Sequence, residues 1–125
     1  MNRDTLKLKE NDMAIASKLS DREREAVNGF VGAIKALFGP RLVSVKLFGS
    51  KATGVSEQYS DIDVCVIVRE ACIEDEDKVL DIAFDINVAL GVYLSPRVID
   101  YLVLHDPVWK ITPFLQTIEK EGIAL

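Results

Sequence analysis

The sequence predicts an α+β domain in which a small mixed β-sheet is backed by helices. Two apolar runs, residues 42–48 and 62–68, have the length and the β-branched content of strands. Stretches with apolar residues every three or four positions, at 20–38 and 74–90, have the period of amphipathic helices. The predicted order is helix, strand, strand, helix, strand, helix, which favours one sheet covered by helices.

Length and composition indicate one domain. We assign residues 20–125 to it and expect residues 1–19 to form a partly ordered N-terminal extension. The net charge of −5 argues against a nucleic-acid-binding domain, which would normally be basic. No apolar run approaches the roughly 20 residues of a membrane span, and no signal peptide is evident, so we expect a cytoplasmic protein with no membrane partner.

The first half of the domain has clear boundaries. Ser20 and Glu23 have the spacing of a capping box, and Gly39-Pro40 is predicted to end the helix that follows. Residues 42–48 form the first predicted strand, and residues 49–60 a polar loop. The strand at 62–68 is apolar apart from Asp63, so we expect it to be central and covered on both faces, with Cys65 buried.

In the second half, the acidic residues 74–77 begin a helix that runs to residue 90, and Gly91 has the position of its C′ residue. A third strand is predicted at residues 98–104, interrupted by Asp100. Thr112-Pro113 is predicted to begin the last helix, with Phe114, Leu115 and Ile118 facing inward. Gly122 would end it, before a short edge strand at residues 123–125.

Asp61 and Asp63 are the strongest functional signal. Side chains alternate along a strand, so these two carboxylates point to one face and repel each other unless a cation lies between them. Mg²⁺ is often held by one or two carboxylates together with substrate phosphates. Gly49-Ser50, at the end of the preceding strand, offers a tight turn with free N–H groups for those phosphates. Alone, Asp61 and Asp63 would be read as a strand-entry turn with Ser60; joined to Gly49-Ser50 they indicate a metal site.

These motifs resemble a known family. Gly49-Ser50, Gly54 and Ser60-Asp61-Ile62-Asp63 are similar to the signature of the DNA polymerase β-like nucleotidyltransferases, and in particular of the minimal nucleotidyltransferases. The resemblance runs from about residue 21 to the C-terminus and includes Glu121-Gly122-Ile123. One departure is Lys51-Ala52-Thr53, where family members often carry an arginine.

The resemblance implies a site as well as a fold. Gly49, Ser50, Lys51 and Ser60 would contact a nucleoside triphosphate, expected to be ATP, and Asp61 and Asp63 would bind divalent metal, expected to be two Mg²⁺ ions. The family has a third carboxylate on the next strand. Asp100 is the candidate for it, as metal ligand and as proton acceptor, and Asp106 is the fallback. Structurally, Asp100 could instead be paired by Arg97 or a lysine.

Three functions stay open at this point. The resemblance implies an enzyme that transfers AMP to a hydroxyl group, on a small molecule or a protein. It also allows an antitoxin-like subunit that neutralises a HEPN-type partner, with or without catalysis. A degenerate relative that binds nucleotide without turnover is the third. Because no second domain for the acceptor is evident, we expect a partner protein or a homo-oligomer to complete the site.

Overall fold

The sheet of this α+β domain has four strands in the order β3-β2-β1-β4. The structure is a computed structural model that describes residues 19–49, 61–113, 115, 116, 118 and 122–125. Its strands are β1 (Leu42–Phe48), β2 (Ile62–Val68), β3 (Leu94–Asp100) and β4 (Ile123–Ala124), and its α-helices are α1 (Asp21–Phe38), α2 (Ile73–Leu90) and α3 (Tyr101–Leu104). Two short 3₁₀ helices cover Gly39–Arg41 and Trp109–Ile111. The predicted fold class is confirmed.

Local signals in the sequence account for the first two helices. The Ser20 hydroxyl accepts from the Glu23 N–H at 3.1 Å, and a Glu23 carboxylate oxygen accepts from the Ser20 N–H at 2.9 Å, which completes the capping box. α2 ends at Gly91 in the left-handed conformation, with φ of 66°. The sequence predicted the start of α1 at the capping box and the end of α2 at Gly91, and both are confirmed.

The central strands set the geometry of the sheet. β1 and β2 are antiparallel, with Lys46 opposite Cys65 and Phe48 opposite Asp63. β2 and β3 are parallel, with Asp63 beside Ser95 and Cys65 beside Arg97. β2 is buried along nearly its whole length, because helices cover one face and the C-terminal segment covers part of the other.

The two faces of the sheet bury different clusters. One face, here called the helix face, packs Val45, Leu47, Val64 and Val66 against α1 and α2. The opposite face, here called the site face, buries Phe48, Cys65 and Ile67 with Ile99, and the C-terminal residues Leu115 and Ile118 cover them. Phe114 lies outside the residues whose side chains are described.

The third strand was predicted in the wrong place. It runs from Leu94 to Asp100, and residues 101–104, which were expected to continue it, form a single helical turn. Asp100 begins that turn, since its carboxylate accepts from the Leu102 N–H at 2.9 Å. The strand also contains Pro96, which is tolerated because β3 lies at the sheet edge.

The chain closes with β4, which pairs with the outer side of β1 as the predicted edge strand. Within the described part of the chain, no helix is both long and apolar enough to cross a bilayer.

Candidate active site

Gly49 and Asp63 meet where β1 ends and β2 begins. Gly49 has a positive φ of 75°, which favours glycine. A Cβ atom built on Gly49 would lie 2.3 Å from Oδ2 of Asp63. The turn therefore approaches the Asp63 carboxylate so closely that no side chain fits between them. Gly49 and Asp63, which are 14 residues apart in the sequence, are therefore adjacent in the fold.

The neighbours of the two aspartates on β3 follow from the parallel register. The Ile62 N–H donates to the Tyr93 carbonyl at 2.8 Å, which brings Tyr93 beside Asp61. Ser95 is the direct partner of Asp63. Asp61 is exposed and Asp63 is half-buried. This end of the sheet thus carries two carboxylates, a tyrosine and a serine.

The electrostatics of Asp63 fit a site that takes a cation. Burial raises the pKa of Asp63 above its ordinary value, and the like charge of Asp61 raises it further. The positive charge of Arg97 acts in the opposite direction. A half-buried carboxylate beside another carboxylate is destabilised in its charged form, and a bound divalent cation would relieve that repulsion.

A second row of polar side chains crosses the site face behind Asp63. It consists of Lys46 on β1, Cys65 on β2 and Arg97 on β3, which are neighbours in the sheet register. Burial raises the pKa of the Cys65 thiol to about 12, and the nearby positive charges of Lys46 and Arg97 offset only part of that rise. Cys65 is therefore a neutral, buried thiol, as the sequence predicted.

The structure does not bring Asp100 to Asp61 and Asp63, so its assignment as third metal ligand and proton acceptor is corrected. Asp100 is the register partner of Val68, at the other end of β2 from Asp63. Five residues of strand separate the two positions, roughly 16 Å. Asp100 also belongs to the helix face, because it is an even number of residues from buried Leu94. Its carboxylate accepts from the Ala71 N–H at 2.8 Å and the Leu102 N–H, and this pairing, not Arg97, satisfies it.

The fallback acid is a turn residue. Asp106 accepts from the N–H groups of Val108, at 2.8 Å, and Trp109, at 3.3 Å.

Ser50, Lys51, Gly54 and Ser60 lie outside the described residues, so their predicted phosphate contacts stay predictions. Among the residues that are described, no three His, Cys, Asp or Glu side chains cluster as a metal site would require.

Arg97 lies near the aspartate pair, which the sequence did not predict. From the sequence, Arg97 is expected only as a possible partner of Asp100, and the third strand is predicted to begin at residue 98. Had Pro96 been read as an edge-strand residue, Arg97 and Ser95 would have fallen on one face of the same strand.

The chemistry of the donors suits Mg²⁺ bound together with a nucleotide. Asp61 and Asp63 supply hard oxygen ligands, and Mg²⁺ typically completes its octahedral shell with water and substrate phosphates. The glycine turn places backbone, rather than a side chain, against the Asp63 carboxylate. Asp61 and Asp63 therefore fit the group that the motif implies.

The sequence of the chain matches a known protein family and curated proteins. The model of the nucleotidyltransferase domain family matches residues 27–123. A provisionally named protein adenylyltransferase of Methanocaldococcus jannaschii is 36% identical over 74 residues, which are 57% of this chain and 50% of that protein. The match thus spans about half of that relative's length. A second protein of the same provisional name and organism is 27% identical over 102 residues, 81% of this chain and 96% of its own.

Solved structures share the fold. A crystal structure from Sulfolobus solfataricus, provisionally described as a nucleotidyltransferase, has a TM-score of 0.55 at 18% identity, covering 94% of this chain and 87% of its own. A toxin-antitoxin structure with AMP-PNP has a TM-score of 0.51 at 21% identity, covering 76% of this chain and 68% of its own. At these identities the likeness concerns the fold.

Proposed function

Because this chain belongs to the nucleotidyltransferase domain family, we propose that it is a Mg²⁺-dependent enzyme that transfers AMP from ATP to a hydroxyl group. The observation that carries the proposal is the contact between the Gly49 turn and Asp63, with Asp61 beside it. That contact joins a phosphate-binding turn to a pair of carboxylates at one end of the sheet. The protein adenylyltransferase names of the relatives support AMP as the transferred group.

The reaction is a displacement at the α-phosphorus. The acceptor hydroxyl oxygen forms a bond to that phosphorus while the bond to the β-phosphate bridging oxygen breaks, and pyrophosphate leaves. The hydroxyl proton passes to water. When bound, Mg²⁺ neutralises the charge that develops on the phosphate oxygens. In this proposal Asp61 and Asp63 hold the metal-nucleotide complex, and Gly49 with Ser50 holds the β- and γ-phosphates through N–H groups.

The first experiment measures the melting temperature with and without ATP and Mg²⁺. Wild-type protein is expected to be stabilised only when both are present, by roughly 2.7 kcal/mol at a hundredfold excess over the dissociation constant. Asp63→Asn should lose that shift, because it removes a metal ligand. Asp85→Asn, an exposed acid on α2 at the helix face, is the matched control and should keep the shift.

A stabilisation that persists in Asp63→Asn would show that nucleotide binds elsewhere, and its absence in wild type would remove the basis for catalysis. Where the shift is present, pyrophosphate release in the presence of candidate acceptors separates an enzyme from a protein that binds nucleotide without turnover.

A second candidate function is an antitoxin-like subunit that neutralises a HEPN-type partner. The likeness to the toxin-antitoxin structure supports it, and so does an exposed apolar stripe on α2. Leu80, Phe84 and Val88 recur every four residues and are 45%, 66% and 70% exposed, which is unusual for side chains of this size. A helical partner packed on this stripe would remove about three large apolar side chains from water.

Co-expression with a HEPN-type protein encoded nearby tests this second function. Copurification that survives Asp63→Asn but is lost in Phe84→Asp would favour partner binding through α2. Ile111→Asp, which changes an equally exposed residue elsewhere, should leave the complex intact. Retention of the partner by Phe84→Asp would exclude the stripe as the contact surface.

A further inference from the structure

The two positive charges behind Asp63 differ in access. Lys46 and Arg97 flank the buried Cys65 on either side, in neighbouring strands of the site face. Lys46 is half-buried, and a Cβ on Gly122 would lie 3.4 Å from its Cδ atom, so its stem packs under the C-terminal turn. Arg97 is exposed on the edge strand. Of the two positive charges in this row, that of Arg97 is therefore the more exposed.

Arg97 is close to the aspartates. It lies two residues beyond Ser95, the register partner of Asp63. With a rise of about 3.3 Å per residue and about 4.8 Å between strands, the Cα atoms of Arg97 and Asp63 are roughly 8 Å apart. At this separation the positive charge of Arg97 acts to lower the pKa of Asp63, against the effects of burial and Asp61.

The position of β3 beside Asp63 is fixed from outside the sheet. The Leu94 N–H donates to the Asn87 side-chain oxygen at 2.8 Å, and the Asn87 side-chain nitrogen donates to the Leu94 carbonyl at 3.1 Å. The amide thus occupies the open edge of β3 at its first residue and ties it to α2. Arg97 thus lies on a strand that pairs with β2 on one edge and is bonded by Asn87 on the other, at Leu94.

The order of the strands separates two sides of the site. Gly49 ends β1 and contacts Asp63 from one side, whereas Ser95 and Arg97 lie on β3 at the other side. In the proposed function the terminal phosphates would lie at the Gly49 turn and the metal at Asp61 and Asp63, which would leave the β3 side of the aspartates for the α-phosphate. The α-phosphate is the group whose bonds form and break during transfer.

We propose that Arg97 forms an anion-binding subsite on the β3 side of the aspartate pair and that this subsite takes the α-phosphate of the bound nucleotide. The inference rests on the proposed function and deepens it. A guanidinium group stays charged at all working pH values and offers several N–H donors in a plane, which suits phosphate oxygens. It would hold the reacting phosphate and share in neutralising its charge.

The test compares three ligands in four proteins. The ligands are Mg²⁺ with α,β-methylene ATP, which cannot be cleaved at the reacting bond; Mg²⁺ with pyrophosphate; and Mn²⁺ alone. The proteins are wild type, Arg97→Gln, Arg97→Lys and Arg69→Gln. Arg69 is the control because it is an exposed arginine that follows β2 at the opposite end of the sheet.

We expect Arg97→Gln to weaken binding of the ATP analogue about tenfold, and Arg97→Lys to weaken it less. Pyrophosphate should bind as it does to wild type, because its phosphates occupy the β1 side. Mn²⁺ alone should bind equally well or a few-fold more tightly, since a positive charge beside Asp63 has been removed. Arg69→Gln should match wild type for all three ligands.

Either of two results for Arg97→Gln would overturn the inference alone: unchanged binding of the ATP analogue, or equal weakening of the analogue, pyrophosphate and Mn²⁺, which would indicate a structural role. A loss of analogue binding in Arg69→Gln as large as in Arg97→Gln would also overturn it. Failure of wild type to bind either phosphate ligand would overturn the proposed function, and the inference with it.

Discussion

At the scale of the residue, Gly49 is restricted both by its backbone conformation and by its contact with the Asp63 carboxylate. Its φ of 75° is strained for any residue with a side chain, and a Cβ would overlap Oδ2 of Asp63 at 2.3 Å. We therefore expect Gly49→Ala to lower the free energy of unfolding by about 1–2 kcal/mol. It should also abolish the Mg²⁺-dependent stabilisation by ATP, because Asp63 has to move. Urea unfolding, with and without ligand, measures both effects.

Gly29→Ala is the matched control for that substitution. Gly29 lies within α1, where a Cβ meets no atom within 4 Å. Alanine should stabilise the helix there by about 0.5–1 kcal/mol and leave ligand binding unchanged. If Gly49→Ala bound nucleotide normally, the close approach of this turn to Asp63 would have no part in the site.

At the scale of the element, an ion pair joins the start of β1 to the start of α2. Asp75 is 5% exposed and accepts from two guanidinium nitrogens of Arg41, at 2.5 and 3.3 Å, and from the Cys72 N–H at 3.0 Å. Arg41 also donates to the carbonyls of Arg69 and Glu70. One arginine thus ties the turn after β2 to α2, and with it the segment that leads back to β3.

This pair predicts a pH dependence of stability. The hydrogen bonds from Arg41 hold the pKa of Asp75 below its ordinary value near 3.8. The charged carboxylate is therefore favoured in the folded state, and its contribution is present above the unfolded pKa and lost as pH falls through the lower folded pKa. Asp75→Asn should lower the free energy of unfolding by about 1–2 kcal/mol at pH 7.

The measurement is urea unfolding of wild type and Asp75→Asn from pH 7 downward. The difference between them should shrink below about pH 4, as wild-type Asp75 takes up a proton. Asp85→Asn, exposed on the same helix, should show little difference at any pH. A difference for Asp75→Asn that persisted unchanged at pH 2 would mean that packing, rather than the charge, is what Asp75 contributes.

Among the elements, local signals predicted α1, β1, β2 and α2 to within a residue or two, because caps, breakers and β-branched runs act within a few residues of where they occur. β3 was misplaced because its determinants are distant. Asn87 satisfies the strand edge at Leu94 from another helix, and Asp100 turns the chain by bonding Ala71 across the fold as well as Leu102. An apolar run through residues 98–104 could not reveal either contact.

At the scale of the whole molecule, the two ends of the sheet differ in function: one carries the candidate site, and the other carries the polar contacts that hold the connecting turns. One end carries Gly49, Asp61, Asp63 and, from β3, Ser95. The other end carries Arg41, Asp75 and Asp100, whose carboxylates and guanidinium bond backbone groups of the connecting turns. The sequence predicted the pair of aspartates and the glycine turn, because their spacing is local. It could not assign Asp100 to the right end, because that depends on the register of two strands separated by a helix.

This division predicts opposite behaviour for two aspartates that the sequence grouped together. Asp100→Ala removes an acceptor for two N–H groups, so the free energy of unfolding should fall by about 1–2 kcal/mol. Its affinity for Mg²⁺ with α,β-methylene ATP should stay within twofold of wild type. Asp63→Asn should lose that affinity, because it removes a metal ligand. Its free energy of unfolding should not fall, because burial and Asp61 disfavour the charge that the substitution removes. A folded Asp100→Ala protein that failed to bind the nucleotide would return Asp100 to the site and contradict the register of β3.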